Sequence, residues 1–223
     1  MKLKLGHILL IMLLFTASCS PSYFVKPLTK DQNAAGISLG GPLIKYSGAT
    51  IPIPFLTATY GRGLRDDLTA FGGLNLTSLA YGTFHTEFGV VKGFLKPEGL
   101  RPGLSVTPAA TFAMDFYQFH PKLWPRLEVN AYWNYRQKGN YFYFGANNWF
   151  ELAGKRAFDV KQPNNWLLTL QAGHVFENPK MNYIIELKYN AINANNQNLV
   201  VDYAGRIGNT GALGVYFGVV KKF

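Results

Sequence analysis

Strict alternation between apolar and polar residues over long stretches is the feature that most constrains the fold of this chain. Between 104 and 117 every even position is apolar, while the odd positions hold Ser, Thr, Ala, Asp or Tyr. The same period of two runs through 83–90, 126–136 and 183–190. Successive side chains point to opposite faces in a β-strand, so the pattern predicts strands with one apolar and one polar face.

The predicted strands are longer than those of a soluble β-sandwich, which usually have about five or six residues. Ten or more residues is the length that crosses the apolar layer of a membrane at a tilt. Only 15 % of the residues are charged, against roughly a quarter in a soluble domain. The expected fold class is all-β, an antiparallel transmembrane up-and-down β-barrel, and a soluble sandwich is the alternative that also alternates.

Turn-forming residues divide the chain into ten predicted strands within a barrel domain of residues 34–223. The strands are 34–45, 50–62, 67–77, 81–95, 102–117, 124–136, 140–152, 164–177, 181–192 and 210–223. Pro42, Pro52 and Pro54 would interrupt the first two unless they lie at ends or bulges. Eight strands are the alternative if that region is irregular, and twelve if a long loop contains a hairpin. Aromatic residues predicted on the apolar face near strand ends, as an interfacial girdle, are Trp124, Tyr135, Trp166, Tyr183 and Tyr189.

The last strand carries a pattern of its own. Val215, Phe217, Val219 and Phe223 lie at alternate positions, and Phe223 is the final residue given. This resembles the C-terminal strand signal of bacterial outer-membrane β-barrels, whose terminal aromatic residue and alternating apolar residues engage the barrel insertion machinery. The resemblance implies a location in the outer membrane of a Gram-negative cell and an even number of strands.

Sidedness follows from this count, because each strand crosses the membrane once. With both termini periplasmic, the short connections 63–66, 96–101, 137–139 and 178–180 face the periplasm. The long connections 153–163 and 193–209 then face outward. Short periplasmic turns and long external loops are typical of such barrels.

The first residues resemble the export signal of a bacterial lipoprotein. Lys2 and Lys4 precede a short apolar run, and small residues lead to Cys19, the single cysteine of the chain. The resemblance implies removal of residues 1–18 and a covalent lipid on Cys19, followed by a tether over 19–33. The alternative is ordinary secretion with a small buried cysteine.

The polar faces of the strands predict a lumen lined by both signs of charge. A barrel of ten strands is narrow, so its lumen should be largely filled by side chains, and its charges should be paired. The candidate members of this polar network are His85, Glu87, Asp115, Arg126, Glu128, Arg136, Glu151, Glu186 and Lys188.

Catalysis is a weaker interpretation of the same residues. His85 and Glu87 share a face, as a general base and its orienting carboxylate would, and some small outer-membrane barrels modify lipid A. No serine stands beside them in the sequence. No metal-binding or phosphate-binding motif occurs, so we expect no catalytic residue, no metal and no cofactor beyond the lipid on Cys19.

The charge of the chain points to lipids. The formal net charge is +10, but the basic residues are scattered and the export signal directs the chain out of the cytoplasm, so nucleic acid is not expected. Lys155, Arg156 and Lys161 suit outer-membrane lipid headgroups and lipopolysaccharide phosphates, and the alternative is a solvated loop without a partner. The expected function is a structural or accessory subunit of a larger outer-membrane complex. A small pore or apolar-ligand barrel is the first alternative and a lipid A-modifying enzyme the second.

The lipid anchor gives the first testable prediction. Radiolabelled palmitate should enter the wild-type chain and should be absent from Cys19→Ser, because that variant lacks the thiol to which the lipid is attached. Equal labelling of both proteins would contradict the lipoprotein assignment.

Overall fold

The computed structural model describes residues 20–135, 139–154, 162–196 and 202–223. The signal segment, Cys19, Arg136 and the loop cations Lys155, Arg156 and Lys161 lie outside the described residues. The predictions made for them are therefore untested by the structure.

Eleven strands and one short helix follow one another through the described residues. They are β1 (Asn33–Tyr46), β2 (Ala49–Pro52), β3 (Phe55–Arg65), β4 (Leu68–Asn75), α1 (Leu76–Ala80), β5 (Thr83–Leu95), β6 (Gly103–Asp115), β7 (Pro121–Asn134), β8 (Tyr141–Phe150), β9 (Trp166–Glu177), β10 (Met181–Asn195) and β11 (Thr210–Lys222). Among these described segments, no helix has the length and hydropathy to cross a bilayer.

The sheet closes on itself. Neighbouring strands pair antiparallel in chain order, and β11 returns to pair with β1 through the register Ile37↔Val219. Ten strands form this ring, which confirms the predicted antiparallel up-and-down barrel and its strand count. Closure leaves the ring without an open edge, so its backbone polar groups are paired along the ladder.

The predicted second strand, 50–62, was wrong as a single element. It is divided into β2 and β3, which are separated by Ile53 and Pro54. β2 pairs with the final residues of β1 (Leu43↔Pro52 to Tyr46↔Ala49) as a hairpin beyond the ring. Proline lacks the N–H that a ladder requires, so the ring strand can begin only after Pro54.

The two ends of the barrel differ. One, here called the turn end, carries the connections β3–β4, β5–β6, β7–β8 and β9–β10, together with the junction where Asn33 and Phe223 exchange backbone hydrogen bonds of 2.9 and 3.0 Å. The opposite end, here called the loop end, carries the β1–β2 hairpin, α1 and the longer connections. The connections that were predicted to lie on the same side of the membrane are therefore found at the same end of the barrel.

The outer surface of the barrel is apolar and the inner surface is largely polar, as the alternation along the strands predicted. On the outside, Phe88, Leu187 and Phe217 are 51 %, 48 % and 51 % exposed, whereas the inward Glu87 and Glu186 are buried. Water-facing apolar residues on this scale would be costly, and lipid removes that cost. Of the C-terminal strand residues, Val215, Phe217 and Val219 share this outer face, and Phe223 is exposed.

One residue of the predicted aromatic girdle is misplaced. Tyr135, Trp166, Tyr183 and Tyr189 lie on the outer side, but the prediction for Trp124 was wrong: it is buried in the lumen. The even-numbered residues of β7 face inward, and Trp124 belongs to that set. Its ring packs 5.6 Å from that of Trp149, and its Nε1 donates a 2.7 Å hydrogen bond to Glu151.

The outward face predicts the effect of a charge at mid-height. Phe88→Arg places a cation near the middle of the apolar band and should lower the free energy of unfolding by about 2–4 kcal/mol. Phe88→Leu keeps an apolar side chain there and should cost less than about 1.5 kcal/mol. Urea titration in lipid vesicles measures both, and equal stability of the two variants would mean that this face does not contact lipid.

Candidate functional site

The lumen holds the densest polar arrangement of the described chain, so it is the candidate site. In its half nearer the loop end, Arg126 on β7 donates from Nη2 to Glu87 Oε2 on β5 at 2.5 Å. Their side chains are 6 % and 11 % exposed. The other oxygen of Glu87 accepts a 2.7 Å hydrogen bond from Ser20 Oγ. The carboxylate is thereby paired with a cation and a hydroxyl group, as burial requires.

A second buried carboxylate lies across the lumen. Glu186 on β10 accepts a hydrogen bond from Tyr143 Oη at 2.6 Å and lies 3.3 Å from Lys188 Nζ. The backbone N–H of Ser22 lies 3.3 Å from each oxygen of this carboxylate. The ammonium group of Lys188 also lies 5.5 Å from the centre of the Tyr216 ring.

Amide side chains connect a third buried carboxylate, that of Glu128, to the residues around Glu186. Glu128 accepts hydrogen bonds from Asn130 Nδ2 at 2.6 Å and Asn147 Nδ2 at 3.3 Å. Gln171 Nε2 donates to Asn130 Oδ1 at 2.8 Å and to Ser22 Oγ at 3.1 Å. The structure therefore brings most of the predicted lumen residues into one network across five strands.

Three predicted members of the network bond elsewhere: Asp115, Glu151 and His85, whose neighbour is Ser78. Asp115 was wrongly assigned to it: the carboxylate accepts hydrogen bonds from the backbone N–H groups of Tyr117, Gln118 and His120 in the β6–β7 connection. Asp115 ends its strand, so its side chain caps the turn that follows. Glu151, likewise near the loop end, bonds Trp124 and the N–H of Ala153.

The segment before β1, predicted as a tether, lies inside the barrel. Ser20, Ser22, Tyr23, Phe24, Val25 and Leu28 are all buried. We call Ser20–Leu28 the plug. It runs from Glu87, the fifth residue of β5 from the loop end, toward the turn end, where Leu28 N–H donates a 2.7 Å hydrogen bond to Thr69 Oγ1.

The plug occupies an apolar half of the lumen that the alternation of the strands did not predict. Phe24, Val25 and Leu28 pack in one cluster with inward side chains of the wall, which are Ala34, Val91, Tyr132, Tyr141, Tyr143, Val175, Ile184 and Val220. Charges line the lumen toward the loop end, and apolar residues fill it toward the turn end. The plug is therefore part of a hydrophobic core inside the barrel.

The wall is shaped to receive the plug. A Cβ at Gly61 would lie 2.6 Å from the Phe24 ring, and a Cβ at Gly63 would lie 1.9 Å from the carbonyl oxygen of Thr29. Both glycines face inward on β3, so their lack of a side chain makes room for the segment. Glycine within a strand is a signal for close approach of another chain, and it was the available sequence clue to the plug.

Charge also holds the plug at the turn end. Lys26 Nζ lies 2.9 Å from Glu177 Oε2 and 4.0 Å from the centre of the Tyr141 ring. Lys222 on β11 contacts the other oxygen of Glu177 at 3.0 Å. The single carboxylate thus joins the plug to the closing strand of the barrel.

A serine does lie beside His85, although the sequence did not indicate it. Ser78 Oγ of α1 is 3.4 Å from His85 Nδ1. Asn75 begins this helix, and its side chain accepts a 2.8 Å hydrogen bond from Ser78 N–H. The Glu87 carboxylate bonds Arg126 and Ser20, so the described hydrogen bonds of Glu87 do not orient the imidazole as a catalytic triad would.

Two cavities lined by described residues of the lumen are small. One cavity of about 30 Å³ touches Ser20, Glu87 and Lys188, and another of about 10 Å³ touches Ser20 and His85. A water molecule needs about 10–15 Å³ by this measure. Within the described ranges, no cluster of three His, Cys, Asp or Glu side chains is arranged to hold a metal ion.

The closed antiparallel ladder, apolar exterior and filled lumen define the class of the molecule, a transmembrane β-barrel. No family model matches the chain, and no curated protein matches it in sequence. Among solved structures, it is similar to the translocator domain of the autotransporter NalP from Neisseria meningitidis, with 12 % identity, 88 % of this chain and 89 % of that chain covered, and a TM-score of 0.46.

Two further solved structures are similar. The NanC porin has 10 % identity, covers 86 % of this chain and 100 % of its own, and gives a TM-score of 0.45. Ail, the attachment invasion locus protein of Yersinia pestis, has 9 % identity, with 87 % and 100 % covered and a TM-score of 0.30. All three neighbours are bacterial outer-membrane β-barrels.

The packing of the plug predicts that alanine substitutions at two leucines will differ strongly in their effect on the free energy of unfolding. Leu28→Ala removes a buried side chain from the core of the lumen and should lower the free energy of unfolding by about 2–5 kcal/mol. Leu100→Ala is the matched control: Leu100 is 95 % exposed in the β5–β6 turn, and its loss should change stability by less than about 0.5 kcal/mol. Equal stability of both variants in urea titrations would show that the plug is not part of the core.

Proposed function

We propose that this chain is a non-catalytic β-barrel lipoprotein of the bacterial outer membrane that acts as a structural or accessory subunit of an envelope assembly. The filled lumen carries this proposal. A barrel whose interior is occupied by its own plug and by paired charges offers its outer wall and its loops, rather than a channel, for interaction.

Three features weigh against the alternative of a small pore. Apolar residues and the plug fill the half of the lumen near the turn end. In the charged half, Ser20 of the plug bonds Glu87 on β5, and Ser22 bonds Glu186 on β10 across the ring. The two cavities beside Ser20, of about 30 and 10 Å³, have room for a few water molecules. This filling also leaves little space for an apolar ligand.

The lipid-modifying alternative has less support. Ser78 and His85 are neighbours, but the hydrogen bonds of Glu87 engage Arg126 and the plug. The cavity beside His85 measures about 10 Å³, which does not admit an acyl chain. A structural role of these polar residues, bracing the wall near the loop end, accounts for their burial and partners.

A specific observation favours a protein partner at the loop end. Large apolar side chains that are 64 % to 77 % exposed are gathered there: Tyr46, Tyr81, Tyr117, Phe119 and Ile207. They lie in four different connections, outside the band that lipid would cover. Exposed apolar surface of this kind is typical of protein interaction sites.

The other proposed partners follow from position. Outer-membrane lipids cover the apolar wall, and lipopolysaccharide phosphates suit the loop cations Lys155, Arg156 and Lys161. The insertion machinery binds β11 and Phe223, which follows it. The lipid on Cys19 is redundant for retention of a chain that already spans the membrane. Its proposed role is to position the N-terminal segment against a partner or the inner leaflet.

Two measurements test this function. The purified protein should give no discrete conductance steps in planar bilayers, because the lumen is filled. From detergent-solubilised outer membranes, it should co-purify with a partner in constant stoichiometry, and the double variant Tyr46→Ser with Tyr117→Ser should lower the recovery of that partner at least about tenfold, equivalent to roughly 1.4 kcal/mol of binding free energy.

Leu100→Ser is the control, since it alters an exposed apolar side chain at the opposite end of the barrel. It should leave recovery unchanged. Stepwise conductance of the wild-type protein would favour the pore. Recovery of a monomer with no stoichiometric partner would overturn the accessory role.

A further inference from the structure

The outer wall changes character where the seam, the pairing of β1 with β11, reaches the turn end. Along β11, Val215, Phe217 and Val219 face outward, and the next outward position is the exposed Lys221. A lysine directly beyond an apolar stripe lays its alkyl stem along the apolar surface and brings its ammonium group to the level of the lipid headgroups. The seam therefore carries a cation at the boundary of the membrane.

A recess lies beside this lysine on the outer wall. Ala35 on β1 has Lys221 on β11 and Tyr60 on β3 as its register partners on either side. Directly opposite residues of antiparallel strands share a face, with Cβ atoms about 4.5–5.5 Å apart. A single methyl group therefore lies between two long side chains, and we call Ala35, Tyr60 and Lys221 the seam recess. The Tyr60 hydroxyl donates a 2.6 Å hydrogen bond to Asn33 Oδ1, which holds one side of the recess in place.

Positive charge is concentrated on the β11 side of the seam recess. The carbonyl oxygen of Lys180 accepts a 2.8 Å hydrogen bond from the N–H of Lys222, so Lys180 lies next to the end of β11. The carboxylate at the end of β9, Glu177, is already bonded to Lys26 and Lys222. Within the described ranges, neither Lys180 nor Lys221 belongs to an ion pair, and both are exposed.

A third cation lies on the β3 side of the seam recess. Arg62 is the next outward residue after Tyr60, and its side chain is 58 % exposed. Its Nη2 lies 3.5 Å from Asp31 Oδ1, on a side chain that is itself 69 % exposed. An exposed pair of this kind contributes little, so the guanidinium group remains available to another anion.

We propose that the seam recess binds the headgroup of an anionic glycerophospholipid in the leaflet at the turn end. The phosphate lies between Lys221 and Arg62 over Ala35, and the ammonium group of Lys180 adds to the attraction. One acyl chain follows the seam toward the middle of the membrane along Ile37 and Phe217, which are 47 % and 51 % exposed.

The charge of the recess selects among lipid headgroups. A zwitterionic headgroup would bring a cation of its own beside three cations of the protein, whereas a net-negative headgroup brings none. The sequence predicts periplasmic termini, which place the turn end in the leaflet of glycerophospholipids rather than of lipopolysaccharide. The inference thus rests on the outer-membrane lipids proposed to cover the wall, and it is independent of the protein partner proposed at the loop end.

Native mass spectrometry tests the selection directly. The full-length protein is placed in nanodiscs of equal dioleoyl-phosphatidylglycerol and dioleoyl-phosphatidylcholine, and the ratio of the two lipids that it retains is measured. The wild-type protein should retain phosphatidylglycerol in excess. The double variant Lys180→Gln with Lys221→Gln should lower the ratio by roughly 25-fold, because each basic residue near an anionic lipid surface contributes about a fivefold preference.

The matched control removes the same charge from another part of the same end. Lys96 and Arg101 are exposed in the β5–β6 connection, and within the described ranges neither belongs to an ion pair. Lys96→Gln with Arg101→Gln should therefore leave the ratio unchanged. An unchanged ratio in the seam variant, or an equal fall in this control, would overturn the proposal.

A second pair of variants tests the shape of the site with every charge retained. Ala35→Leu fills the recess, whereas Ala58→Leu makes the same change farther along the outer wall, beside Ile37. Heat-modifiable gel mobility checks that both barrels are folded. Ala35→Leu should lower the ratio and Ala58→Leu should not. Full retention of phosphatidylglycerol by Ala35→Leu would overturn the recess, because the selection would then come from diffuse charge.

Sidedness is tested separately, since a nanodisc offers the same lipids to both ends of the barrel. Leu100→Cys places a thiol in the exposed β5–β6 connection at the turn end. A membrane-impermeant maleimide should label it in permeabilised cells and not in intact cells, with the wild-type chain as background. Labelling in intact cells would overturn a glycerophospholipid as the source of the headgroup, whatever the nanodiscs show about its charge.

Discussion

The pairing of β1 with β11 is the contact on which the rest of this structure depends. Until it forms, two strands present unpaired N–H and C=O groups, and each such group in an apolar medium costs several kcal/mol. The ladder from Ala34↔Lys222 to Pro42↔Gly214 satisfies them. Closure also fixes which faces turn inward, so every later contact of the lumen follows from it.

Closure creates a volume that ten strands must fill. Barrels of about eight strands are filled by their own side chains, and two more strands widen the ring. In this chain the additional space is occupied by the plug, for which Gly61 and Gly63 provide room on the wall. The segment before β1 is therefore better described as the core of the barrel than as a linker, and the loss of Leu28 should be felt as the loss of any core leucine.

Sequence predicted the wall of this barrel well because each wall residue experiences a repeating environment. The period of two arises because one face of each strand contacts lipid and the other faces the lumen. It correctly predicted that Glu87, Arg126, Glu186 and Lys188 all face the lumen. It failed for Asp115, where the strand ends and the same inward direction meets a turn instead of the network. At strand ends, the period continues while the surroundings change.

The plug could not be predicted by the same reasoning. Along the plug, alternate residues from Ser20 to Leu28 contact β5, β10, β3, β9 and β4 in that order, so the environment does not repeat and no period results. Polar composition and two prolines then suggested a linker. The prediction for Trp124 was wrong for a related reason. An aromatic residue near a strand end suits either the membrane interface or a lumen wide enough for its side chain.

The lumen is divided into a charged half and an apolar half, and the plug is held in a different way in each. In the charged half the wall pairs its own carboxylates with its own cations, so the plug adds hydrogen bonds without supplying the charge balance. In the apolar half the plug is held by burial of Phe24, Val25 and Leu28, and at the turn end the ion pair between Lys26 and Glu177 adds to this burial. The plug therefore contributes apolar burial in one half of the lumen and additional hydrogen bonds in the other.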